Sequence, residues 1–267
     1  MVVIGILFVF GLIVGSFLNV VIYRTIRGEQ WVKGRSRCDH CRKIIPWYDN
    51  LPLLSYVWLR GRCRFCHKRI TPQHFAIEIM TGFLFVWWYA IGFAFFKLSQ
   101  SPHLFIQPAF WLVVGILLLI IFVTDWLYQI IPDFANWGLG ILALGYRAYL
   151  TVSGAMQPQD FWLAIGMGVA LLAFLGLLWL ITRGRGMGFG DVIFAFVMGV
   201  LLGWPRGLVG IMLAFVLGAL VGLMLVLMKF KKLKERIAFG PFLVLGTGIA
   251  LIWGNELWVG YMKMLGW

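Results

Sequence analysis

The chain has 267 residues, of which 62% are hydrophobic and only 12% charged, and its mean hydropathy is +0.92. That composition lies far outside the range of soluble globular domains and excludes an ordinary soluble enzyme or binding module. The formal net charge of +13 therefore needs a cause within a membrane protein.

A helix that crosses the hydrocarbon core needs about 20 mostly apolar residues, because its backbone polar groups must be satisfied inside the segment. On that criterion eight helices are predicted, at residues 2–22, 76–96, 109–124, 134–152, 161–182, 191–203, 207–228 and 239–264, with the sixth the shortest. The fold class expected is an all-α polytopic membrane protein. Residues 1–22 are its first transmembrane helix, 23–75 a small loop domain, and 76–267 a membrane domain of about seven helices. The first segment lacks a basic n-region and an A-x-A-like site, so a retained helix is expected rather than a cleaved signal peptide.

Lys and Arg concentrate on the cytoplasmic side of membrane proteins. Here 12 of the 23 fall in residues 23–75, two in 183–190 and five in 229–236. An eight-helix chain puts all three segments on one side, leaving only Lys97, Arg147, Arg206 and Lys263 elsewhere. Both ends of the chain are then expected outside and the cysteine-bearing loop inside. The charge reads as topology plus attraction to anionic lipid, each basic residue near the surface contributing about 1 kcal/mol. Nucleic acid is not an expected partner.

All four cysteines lie in that first loop, as Cys38-Asp39-His40-Cys41 and Cys63-Arg64-Phe65-Cys66. Two C-x2-C turns aim four thiolates at one point, the ligand set of a closed structural zinc site, so residues 23–75 are expected to form a small cytoplasmic zinc-ribbon-like loop domain. Disulfides or a redox-active pair are the rival reading, and a reducing cytoplasmic loop disfavours them. His40 and His67 adjoin the ligands but are expected to be exposed loop residues. Between the pairs, Trp47, Tyr48, Leu51, Leu53, Leu54, Tyr56, Val57, Trp58 and Leu59 form an apolar stretch. It is read as the miniature core of the loop or as a surface lying on the bilayer, with substrate docking the remaining alternative.

Carboxylates inside a membrane protein are costly and mark function by default. Of the ten acidic residues, Glu78, Asp125, Asp133 and Asp191 fall in or beside predicted helices where loop solvation does not explain them. Asp125 follows the apolar run 112–124, and Asp191 follows Gly186-Met187-Gly188-Phe189-Gly190. The charge pattern puts both at the cytoplasmic ends of their helices. Two carboxylates brought together in a partly dry site share one proton, so one activates water while the other donates to a scissile carbonyl. The active-site loop glycines Gly188 and Gly190 are expected to permit close approach and φ values denied to other residues. Asp133, after Pro132, is expected to cap the next helix.

Gly15-Ser16-Phe17-Leu18-Asn19-Val20 with Tyr23-Arg24, Ser36-Arg37-Cys38 with Arg60-Gly61-Arg62-Cys63, Asp125 followed by Ile131-Pro132-Asp133, Gly188-Phe189-Gly190-Asp191, and Phe239-Gly240-Pro241-Phe242 occur in that order. Together they resemble the type IV prepilin peptidases, membrane aspartic peptidases of the G-x-G-D class. The resemblance covers nearly the whole chain. It implies Asp125 and Asp191 as the catalytic pair, zinc held by Cys38, Cys41, Cys63 and Cys66, and residues 76–267 as the peptidase domain. It also implies the reaction and its setting. At the cytoplasmic face of the bacterial inner membrane, a basic leader is removed after a glycine from prepilins or pseudopilins, and the new amino terminus is methylated with S-adenosylmethionine. Glu78 resembles a family glutamate and is a candidate contact for the basic leader, as are Asp39 and Asp49. One departure is Ile193, where the family often carries lysine. No dinucleotide-type G-x-G-x-x-G follows a strand, so the methyl-donor site is not read from the chain; nor is the oligomeric state. A catalytically silent zinc-loop scaffold and a proton-coupled transporter using Asp125, Asp133 and Asp191 are the alternatives.

Overall fold

The computed structural model describes residues 1–32, 34–94, 105–230 and 237–266. Lys33, Lys97, residues 95 and 96 of the second expected helix, and the stretch 231–236 with Glu235 lie outside the described residues. Within them the chain is nearly all helical: α1 Val2–Ile26, a 3-10 turn at Trp47–Asp49, α2 Leu54–Trp58, α3 Pro72–Ala94, α4 Ile106–Tyr128, α5 Asp133–Val152, α6 Pro158–Thr182, α7 Phe189–Leu202, α8 Arg206–Leu227 and α9 Gly240–Met264. A helix stands at each of the eight expected places.

Several of these helices run past the apolar stretches that reveal them, through residues of the interface such as Tyr23 and Arg24 at the end of α1. Prolines set their starts. Pro72 opens α3, Pro158 opens α6 and Pro241 is the second residue of α9, positions where the missing N–H would have no intrahelical partner.

Six of the helices, α1, α3, α4, α6, α8 and α9, are long and apolar enough to cross a membrane. The other two of the eight expected helices, α5 and α7, fall outside that group. Helix α7 has 14 residues and rises about 21 Å at 1.5 Å per residue, short of a hydrocarbon core of about 30 Å. Helix α5 has 20 residues, but Asp133, Asn136 and Arg147 dilute its apolar character.

The chain divides into two compact units, residues 1–116 and 117–267. In the first, α1 packs on α3, and Gly15 makes that crossing possible: a Cβ there would stand 2.8 Å from Glu78 Cα. Small residues that let backbones approach are the main adhesive between helices in lipid, where apolar burial drives little. In the second unit α7 is central, packed against α5, α6, α8 and α9. Ten of its residues are buried, Asp191 among them.

Candidate active site and metal centre

Asp125 lies in the last turn of α4 and Asp191 in the first turn of α7, and both side chains are buried, 5% and 6% exposed. Their carboxylates are near enough to interact electrostatically. Each is fixed through one oxygen by a backbone donor. The Gly240 N–H donates to Asp125 Oδ2 at 2.8 Å, and the Gly188 N–H donates to Asp191 Oδ2 at 3.0 Å. Asp191 Oδ1 is buried with no hydrogen-bond donor among the described residues.

The local sequence explains this geometry. Gly188 precedes α7 as its N-cap and Asp191 is the third helical residue, so its carboxylate folds back onto the N-cap N–H, as in one half of a capping box. At Asp125 the decisive residue is Gly240. A Cβ there would stand 2.6 Å from Asp125 Oδ2, so any side chain would displace the carboxylate or break its hydrogen bond.

Two expectations are corrected. Gly188 and Gly190 are the N-cap and second residue of α7 rather than a separate loop, and Gly188, at φ −74°, adopts a backbone conformation open to any residue. Close approach is the operative constraint, since a Cβ on Gly190 would lie 3.2 Å from Ile131 Cβ. Asp133 is the first helical residue of α5 and not its cap; Pro132 is the N-cap, with no side-chain capping bond. The Pro132 carbonyl accepts the Ala135 and Asn136 N–H groups instead, and the exposed Asp133 carboxylate sits where the helix dipole favours negative charge.

Asn136 is the residue that sequence reasoning misses. It is 2% exposed, its Nδ2 donates to the Gly190 carbonyl at 3.5 Å, and its Oδ1 has no donor among the described residues. A buried polar atom without a partner is uncommon and points to function. The sequence signal was a lone amide, three residues after Asp133, on a helix face otherwise formed by Leu139, Gly140 and Ala143.

In the loop of the first unit the four Sγ atoms lie within 4.8 Å of one another, Cys38 and Cys66 at 3.9 Å, and no disulfide joins them. A tetrahedral shell with Zn–S of about 2.3 Å separates its sulfurs by about 3.8 Å, so the four thiols fit a metal ion. The two turns repeat each other. Cys38 N–H donates to Lys43 O and Arg42 N–H to Cys38 O; Cys63 N–H donates to Lys68 O and His67 N–H to Cys63 O. Arg42 and His67 take left-handed conformations at φ 58° and 55°, closing each turn. Burial pushes the Cys38 thiol up to about 11; burial acts likewise on Cys63, but the Cys66 and Phe65 backbone groups and the Cys38 thiol bring it down to about 7. His40 and His67 are exposed, as expected.

The apolar stretch between the pairs is not a miniature core. Trp47 and Trp58 are 75% and 85% exposed, and Leu54 and Val57 each 66%. Ser55 is buried and Tyr56 stacks on Phe75 with centroids 4.9 Å apart. Glu78 is half-buried on α3 and accepts the Leu53 N–H at 2.9 Å, with Ser16 a second partner. Asp49 holds Arg64 through two bonds of 2.6 and 2.7 Å, and Asp39 accepts from Tyr23 and pairs with Arg27 at 3.9 Å. All three acids considered for the leader already hold groups of the chain itself.

These features define a multi-pass membrane protein with a buried acidic pair at the mouth of a short central helix and a four-cysteine centre in its first long loop. A model of the type IV leader peptidase family matches residues 112–223, and one of the bacterial peptidase A24 N-terminal domain matches residues 9–91. Similar proteins include the prepilin leader peptidase/N-methyltransferases of Bacillus subtilis (strain 168), 30% identical over 261 residues (97% of this chain, 98% of the relative), and of Pseudomonas putida, 28% identical over 289 residues (97% and 93%). That of Legionella pneumophila is 29% identical over 283 residues (94% and 93%). No solved structure matches the chain. The chain belongs to the type IV leader peptidase family.

Proposed function

We propose that the chain is a prepilin leader peptidase and N-methyltransferase. As an aspartic endopeptidase it removes the basic leader of type IV prepilins or pseudopilins after a glycine, at the cytoplasmic face of the bacterial inner membrane. It then methylates the new amino terminus with S-adenosylmethionine. The observation that carries the peptidase reading is the burial of Asp125 and Asp191 together, each held through Oδ2 by a glycine N–H.

The chemistry follows from that arrangement. Two neighbouring carboxylates in a dry site ionise as a unit, with one proton between them. Water donates a hydrogen bond to the ionised carboxylate and loses its proton to it as it attacks; the protonated partner hydrogen-bonds the scissile carbonyl. Asp191 Oδ1, which has no donor of its own, is the acceptor we assign to that water. Gly240 and Gly188 keep the carboxylates from rotating away.

Cys38, Cys41, Cys63 and Cys66 are the residues that would hold zinc, whose contribution is to close a loop too small for a core of its own. Trp47, Leu54, Val57 and Trp58, with the basic residues around them, suit the interface of an anionic bilayer, where aromatic rings and Arg or Lys are favoured. The domain organisation proposed is helix 1–22, zinc loop 23–75 and peptidase domain 76–267. No side chain is assigned to the methyl donor, and Glu78 is proposed as a contact for the leader through whatever acceptor capacity Leu53 and Ser16 leave it.

The test is mass analysis of a prepilin incubated with the purified protein and S-adenosylmethionine. Loss of the leader at the glycine junction, with one methyl group on the new terminus, is the result expected. A cut elsewhere, or none, overturns the reading.

A further inference from the structure

Helix α5 touches α7 at both ends of α7. Near the start, Asn136 Nδ2 donates to the Gly190 carbonyl at 3.5 Å. Near the finish, Arg147 Nε donates to Val200 O at 2.6 Å and Nη2 to Leu201 O at 3.1 Å. Asn136 and Arg147 are eleven residues apart, about three helical turns at 3.6 residues per turn, and so lie on one face of α5. Leu139, Gly140 and Ala143 fill the face between them and are buried; a Cβ on Gly140 would meet Val197 of α7 at 3.2 Å. The two helices therefore run side by side in the same direction.

Arg147 is the unexpected member. A guanidinium inside a membrane protein is expensive and needs a use, yet Arg147 forms neither of the ion pairs found among the described residues. Its donors go to the last carbonyls of α7, which have no intrahelical partners and carry the negative end of the helix dipole. The other contacts of the guanidinium are close: Nη1 lies 3.6 Å from Met156 Sδ, and a Cβ on Gly203, which ends α7 at φ +70°, would stand 2.7 Å from Nη2. A helix of 14 residues carrying Asp191 three residues from its N-cap has little length of its own to fix its depth.

We infer that α5 is a splint for α7, with Asn136 and Arg147 acting as positioning residues that hold α7 at both ends and so fix Asp191 against Asp125. The catalytic part of this inference rests on the peptidase reading above; the mechanical part does not. Asn136 sets the N-terminal turn through the carbonyl next to Asp191, and Arg147 stops α7 from sliding along its axis.

The experiment compares full-length wild-type, Asn136→Ala, Arg147→Met and Arg147→Lys proteins in detergent by hydrogen–deuterium exchange and by prepilin cleavage. Loss of hydrogen bonds to a charged donor should speed exchange of the α7 amides roughly ten-fold in Arg147→Met, with α8 and α9 unchanged. The same variant should lose kcat by roughly ten-fold with KM held, and Arg147→Lys, which keeps the charge and a donor, should recover part of both. Asn136→Ala should quicken exchange in the first turn of α7. Wild-type exchange of α7 in both Asn136→Ala and Arg147→Met overturns the splint, whatever happens to cleavage. Faster exchange with undiminished kcat overturns the positioning role. If the wild type cuts no prepilin and α7 still loosens in the variants, the splint stands and the peptidase reading fails.

Discussion

At the scale of single residues, Gly240 shows how a backbone atom comes to hold a reacting group. Its N–H donates to Asp125 from a position that no residue with a Cβ can occupy without moving the carboxylate. Gly240→Ala should therefore lower kcat about ten- to hundred-fold, the size expected for losing a hydrogen bond to a charged group, while the protein stays folded; normal turnover would show that the contact is dispensable. Asp133 makes the contrary case. Exposed on the first turn of α5, it has a dipole interaction worth about 0.3–1 kcal/mol, so Asp133→Asn should lose a little stability and keep its cleavage rate. Near-complete loss of cleavage in a folded Asp133→Asn protein would move that residue into the chemistry.

The residue scale also shows what a sequence can disclose. Asp125 and Asp191 stand out because a carboxylate beside an apolar run is costly and few others share the position. Gly240 is visible as part of Phe239-Gly240-Pro241-Phe242, but its work at Asp125 is not, because that contact joins residues 115 apart. Asn136 is harder still: one amide in a helix becomes informative only when its oxygen is found buried and without a donor. The expectation for Gly188 fails on conformation, since a glycine's letter does not reveal its φ.

Among the elements, the cysteine loop was the most legible, because C-x2-C spacing constrains four sulfurs whatever surrounds them. Its two turns carry the same backbone bonds at positions 25 apart, as in Cys38 to Lys43 and Cys63 to Lys68. The apolar stretch between them was not legible in the same way: composition cannot separate a core from a surface, and Trp47 and Trp58 prove to be exposed. Metal analysis should find about one zinc per chain, and Cys38→Ser should lose it together with the order of the loop, since metal binding supplies apparent free energies of about 10–16 kcal/mol in small zinc domains at neutral pH. Metal-free protein with a protease-resistant loop would refute the zinc assignment. Helix α7 was legible only as a short apolar run; its support from α5 depends on Arg147, which in sequence is merely a misplaced charge.

For the whole molecule, composition already requires a membrane, and the distribution of Lys and Arg gives an orientation. Single-cysteine labelling tests it, because the proposed topology puts the α5–α6 turn outside and the α6–α7 turn inside. Ser153→Cys should react with an impermeant reagent in intact cells and Arg185→Cys only after the membrane is opened; the reverse pattern would invert the orientation. Helix α7 differs from the longer apolar helices in that ten of its 14 residues are buried among other helices.

The measurement that bears most directly on the account is cleavage of a model prepilin, with a basic leader and a Gly-Phe junction, by wild-type, Asp125→Asn and Asp191→Asn proteins in liposomes. Each substitution should cost roughly 10²–10⁴-fold, the contribution of a positioned acid or base, with substrate binding and zinc content unchanged. Cleavage at the wild-type rate by either variant would contradict the claim that these two carboxylates carry the chemistry.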